Sequence, residues 1–165
     1  MMLGHILLVI LCCVATIQDI KSRKITNRFN VVAAGISLLC ELITKERTLL
    51  EVIGGFVSAF VLGIVLWKLG AIKAGDAKFL WSIGIIKGLK AFWITMILVI
   101  MAGGVIALGI ILIKGDFKRR FVRLWNYVKC MFLLRQYQKY EAEKPEEFPF
   151  SVPILVGCLV EFFVL

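Results

Sequence analysis

Apolar residues run in long blocks along the chain, separated by short polar stretches: 3–17, 29–43, 52–66, 77–86, 91–113 and 150–165. Continuous apolarity at these lengths, without the alternation of a half-buried strand, predicts an all-α protein whose helices are apolar on every face. Such helices suit a bilayer, and the blocks predict a polytopic integral membrane protein with six transmembrane helices. Several blocks are shorter than the roughly 20 residues that span about 30 Å of hydrocarbon, so flanking residues must contribute or the bilayer must thin locally. The fourth block, Ala77 to Ile86, is the shortest and reads equally as a re-entrant or interfacial piece.

Charge arbitrates the topology. If all six blocks cross, 16 of the 20 Lys and Arg fall on one side, in the segments around Arg23, Lys73 and the loop after Lys114. Only Lys45, Arg47, Lys87 and Lys90 fall on the other. The rich side is then cytoplasmic and both termini lie outside. A fourth block that failed to cross would strand the nine basic residues from Lys114 to Lys144 outside, which the same rule disfavours.

Composition agrees with this reading: 61% of the 165 residues are hydrophobic and the mean hydropathy is +0.93, against about 45–50% apolar in soluble domains. The net charge of +9 would suggest nucleic acid in a soluble protein; here topology and anionic lipid headgroups account for it, and no nucleic acid partner is expected. No linker, composition shift or internal repeat divides the chain, so residues 1–165 read as a single membrane-embedded domain. Its one sizeable polar loop spans about 114–149. Within it Phe121, Leu124, Trp125, Val128 and Phe132 recur at helical steps with basic residues on other faces, as in an interfacial amphipathic helix or a topology-setting loop. The five cysteines show no C-x-x-C spacing, which speaks against a metal site or a disulfide framework. His5 has no second ligand nearby and reads as structural. The first block lacks a basic n-region and an A-x-A site, and is expected to be a retained helix.

Two acidic residues stand out. Asp76, in Lys73-Ala74-Gly75-Asp76-Ala77-Lys78, lies between two apolar blocks, where charge is costly unless used or paired. Alone it reads equally as a cap for the following helix. Asp19 lies at the inner end of the first helix, and the chain between the two crosses twice, so both share the cytoplasmic plane. Two carboxyls held close do not both ionise easily. The ionised one can take a proton from a water attacking a peptide carbonyl, while the protonated one polarises that carbonyl and helps the amine leave. This chemistry needs no metal or other cofactor. Asn27, after Asp19, is placed to cap the second helix. Glu41 falls near an outer helix end, where headgroup exposure is cheap, and Glu161 lies off the plane of the Asp pair with no expected role beyond a hydrogen bond to a neighbouring helix.

Ala74-Gly75-Asp76-Ala77-Lys78-Phe79-Leu80, with Gly84 after it, resembles the GxGD-x-K-L signature of the type IV prepilin peptidases. Asp19 followed by Ile25-Thr26-Asn27 is similar to that family's first aspartate and I-P-N element, and Pro149-Phe150 with Pro153 resembles its P-F-x-x-P opening of the last helix. The resemblance implies an aspartic endopeptidase of the cytoplasmic membrane, with Asp19 and Asp76 catalytic, Gly75 forming the bend, and Lys78 orienting charge or substrate. A lipid-facing role for Lys78 is the alternative. The implied substrate is a prepilin-like protein with a class III leader. Lys73 stands where the signature has its first Gly, placing a cation beside Asp76, and Thr26 stands for Pro. The paired C-x-x-C motifs of larger, N-methylating members are absent, so cleavage without methyl transfer is expected. The acidic run from Glu141 to Glu147 reads as a solvated stretch or a contact for the basic leader. The reading from another class is a non-enzymatic membrane subunit of a pilus, secretion or transport complex, which Asp19 and Asp76 on opposite sides of the bilayer would favour.

Overall fold

The computed structural model describes residues 2–114 and 149–164. Among these the chain is helical: α1 (Met2–Ser22), α2 (Asn27–Thr44), α3 (Leu49–Lys68), α4 (Ala74–Lys114) and α5 (Ser151–Val164). Residues 1–103 and 148–165 group into one compact unit, and residues 104–147 into another. The amphipathic stretch and acidic run expected between Gly115 and Phe148 lie outside the described residues.

Local chemistry sets the helix boundaries. α1 ends as Arg23 turns left-handed, at φ 51°, with its N–H donated to the Asp19 carbonyl at 2.7 Å. α2 is capped by Thr26, whose hydroxyl accepts the Phe29 N–H. Asn27, expected as that cap, is instead the first helical residue, because the hydroxyl one position earlier already holds the orphan donor. Thr48 and Glu51 close a reciprocal capping box at α3.

α4 contains the fourth and fifth apolar blocks, broken at Gly88, whose φ of 68° and ψ of −177° fall where only glycine rests without strain. The two arms run in opposite directions. Residues 74–87 lead from the end where Asp76 lies to the end where Lys87 meets His5 and Glu161. Residues 89–103 return, with Thr95 bonded to Glu161 and Gly103 facing Pro153. α5 runs antiparallel to α1, as Thr16 meets Ser151, Cys12 meets Cys158 and His5 meets Phe162.

The first arm of α4 is the centre of the bundle. Phe79, Leu80 and Ile83 are fully buried and Ile86 nearly so. The shortest apolar block is thus surrounded by protein rather than lipid, which is why it can be short. α3 packs against this arm through small residues. A Cβ on Gly55 or on Gly84 would overlap the other's carbonyl oxygen, and one on Gly63 would lie 2.9 Å from Ala77 O. Close backbone approach of this kind replaces the hydrophobic drive that lipid removes.

Large apolar side chains face outward on every helix, among them Ile10, Val31, Leu50, Ile100 and Phe163. So much exposed apolar surface suits lipid contact and not water. α1, α3 and α4 are each long and apolar enough to cross a membrane, while α5 is apolar but shorter. Two acids depart from their expected settings. Glu41 is buried beside Gly4 and lies 3.7 Å from Arg47, rather than exposed to headgroups. Glu161 carries an ion pair with Lys87 at 2.9 Å in addition to a bond to its helical neighbour Thr95.

Candidate functional site

Asp19 and Asp76 come to the same end of the bundle, both almost fully buried, with their carboxyl groups within electrostatic reach of each other. They arrive on different elements. Asp19 is in the last turn of α1, on the side that faces the start of α5. There it accepts hydrogen bonds at Oδ2 from the Ser151 hydroxyl (2.8 Å) and the Ser151 N–H (3.4 Å).

Asp76 is the third residue of α4. Its Oδ2 accepts the N–H of Lys73, just ahead of the helix, at 3.2 Å. That is the acidic half of a capping box, so Asp76 does cap its own helix. Its second oxygen, Oδ1, is buried and has no hydrogen-bond partner among the described residues. A buried carboxylate oxygen left unsatisfied is costly in a purely structural role.

The loop after α1 and the start of α4 are fastened together around this pair. Gly75 is required by proximity: a Cβ there would stand 2.7 Å from the Ile25 carbonyl oxygen. Asn30 Nδ2 donates to the Gly75 carbonyl at 2.9 Å, tying α2 to the residue before Asp76. Lys73 Nζ donates to the Arg23 carbonyl at 2.6 Å, so this ammonium is engaged with the α1–α2 loop. Lys78 Nζ donates to Asn27 Oδ1 at 3.0 Å, a link between α4 and the first turn of α2. Gly75, Lys73, Lys78 and Asn27 therefore brace the α1–α2 loop and the first turn of α2 against the start of α4.

Ser151, Asn30 and Thr16 belong to this neighbourhood and were not singled out in the sequence. Asn30 carried a signal, as an amide inside an apolar helical block. Ser151 lies within the Pro149 to Pro153 stretch at a position its pattern leaves open.

A family model described as the type IV leader peptidase family matches residues 6–108. This is more than half of the chain and includes both aspartates. The chain belongs to the type IV leader peptidase family. Membership makes it a protease, and together with the apolar helices it makes it a membrane protein. The match ends before α5, so Ser151 lies outside the part of the chain that the family model covers. No curated protein and no solved structure matches the chain.

Proposed function

We propose that this leader peptidase is an aspartic endopeptidase that removes short basic leaders from type IV prepilin-like proteins, with Asp19 and Asp76 as its catalytic pair. The observation that carries this is the placement of two buried carboxyls at one end of the bundle, one of them with an oxygen that has no hydrogen-bond partner among the described residues. One carboxyl takes a proton from the attacking water while the other donates to the scissile carbonyl; the tetrahedral intermediate then collapses as a proton passes to the departing amine. No covalent enzyme intermediate forms.

The protein sits in the cytoplasmic membrane with six spans, both termini outside and the aspartates at the cytoplasmic face. The antiparallel arms of α4 and the distribution of Lys and Arg support this arrangement. Anionic headgroups meet the basic cytoplasmic segments. Cleavage proceeds without N-methylation, in line with five cysteines that form no C-x-x-C pair.

The test is co-expression of a prepilin-like protein from the same genome with the wild type, Asp19→Asn and Asp76→Asn, read by gel mobility and mass. Processing by the wild type that both substitutions abolish supports the pair. Survival of processing in either variant refutes it.

A further inference from the structure

Ser151 reaches Asp19 from an element that the family match does not cover. Three hydrogen bonds clasp it to one turn of α1. Thr16 Oγ1 donates to the Ser151 carbonyl at 3.3 Å, while the Ser151 hydroxyl and N–H both donate to Asp19 Oδ2, at 2.8 and 3.4 Å. Thr16 and Asp19 are three residues apart and so share a helix face. Ser151, Thr16 and Asp19 are all buried. The N–H donors at the start of α5 also favour a carboxylate there.

This clasp has a geometric consequence. A carboxyl group on a single bond is free to rotate, and its terminal torsion is broad. Two donors converging on one oxygen from a fixed helix end remove that freedom. They set the plane of the Asp19 carboxyl and turn Oδ1 away from α5. A catalytic carboxyl must be aimed to within a small angle of the productive geometry, and one that rotates spends much of its time misdirected.

We propose that Ser151 is a positioning residue for Asp19: its hydroxyl locks the carboxyl plane so that one fixed oxygen is presented to the reacting water or carbonyl. This rests on the reading of Asp19 and Asp76 as the catalytic pair. Ser151 does not itself touch substrate. Losing the hydroxyl therefore lowers turnover and leaves substrate capture alone, while a residue that merely packed would change abundance and stability first.

The experiment measures cleavage rate against substrate concentration for full-length protein in membranes. It compares the wild type, Ser151→Ala, Ser151→Thr and Asp76→Asn, with thermal unfolding of each. Expected are an inert Asp76→Asn, and a Ser151→Ala whose kcat falls roughly 10- to 100-fold, the scale of a lost positioning contact, with KM and unfolding temperature near wild type. Ser151→Thr keeps the hydroxyl and recovers most of the rate. The proposal is overturned if Ser151→Ala turns over like the wild type. It is equally overturned if Ser151→Ala loses rate and stability together and Thr restores neither. Those results with Asp76→Asn inert overturn the role of Ser151 alone. Cleavage by Asp76→Asn, or none by the wild type, overturns the catalytic pair and the role of Ser151 with it.

Discussion

Lys87 Nζ lies 2.9 Å from Glu161 Oε1 and 3.1 Å from His5 Nδ1, a buried charge cluster at the end of the bundle opposite Asp19 and Asp76. It joins the turn of α4 to α5 and α1, and Thr95 holds the other Glu161 oxygen. Breaking a buried pair from one side leaves an uncompensated charge, which costs about 3–5 kcal/mol. Lys87→Met is expected to lower the unfolding temperature in detergent and the yield of folded protein. Lys87→Met combined with Glu161→Gln removes both charges and is expected to regain much of that loss. A double variant as unstable as the single one would show that the cluster is not held by the pair.

Gly75→Ala places a methyl 2.7 Å from the Ile25 carbonyl oxygen. Neither partner is the end of a flexible side chain, so the start of α4 must move away from the α1–α2 loop. Overpacking of this sort costs about 1–3 kcal/mol, and it moves Asp76 relative to Asp19. Cleavage is expected to fall at least 10-fold. Gly35→Ala is the control, because nothing lies within 4 Å of a Cβ there. It is expected to leave cleavage unchanged and stability equal or slightly raised, as Gly→Ala in a helix commonly does. Equal effects of the two substitutions on a cleavage assay and a melting curve would rule out the contact as the reason for Gly75.

Lys73→Gly tests the departure from the family signature. Asp76 is held by the backbone N–H of residue 73, which glycine retains; the ammonium that glycine removes holds the Arg23 carbonyl and its charge also acts on Asp76. The substitution is expected to cost about 1 kcal/mol of stability, the scale of one hydrogen bond, and to leave cleavage within about threefold of wild type. A large change in cleavage rate in either direction would instead assign the Lys73 side chain a part in the reaction.

Gly84→Val drives a branched side chain into Gly55 and Ala59 of α3, where even a methyl would overlap backbone. The expected outcome is loss of folded protein, read by gel filtration in detergent, because the clash is with the backbone of α3, which can yield only by moving away from the core arm.

Much of this was legible in the sequence because membrane helices announce themselves by uninterrupted apolarity, and because crossing number ties Asp19 and Asp76 to one side. That the two residues lie at one end of the bundle follows from counting helices, whereas how close they come depends on packing. What stayed hidden depends on which faces touch. Glu41 and Lys87 lie in positions that suit headgroup contact, and only the packing of α1, α2 and α5 buries them. Asn27 and Thr26 are both competent caps, and adjacent candidates cannot be ranked by type alone. Ser151 acquires its meaning from α1, 132 residues earlier in the chain, and a lone serine at a helix start otherwise reads as ordinary capping.

The first arm of α4 is anchored at both ends, to the α1–α2 loop through Gly75 and to Glu161 through Lys87. It therefore works as a ruler. One residue inserted between Asp76 and Gly88 would advance one anchor by about 1.5 Å and rotate it by roughly 100°, aiming either the aspartate or the lysine at the wrong neighbour. The lipid-facing helices can exchange one large apolar side chain for another at small cost, whereas this stretch is constrained in length as well as in packing.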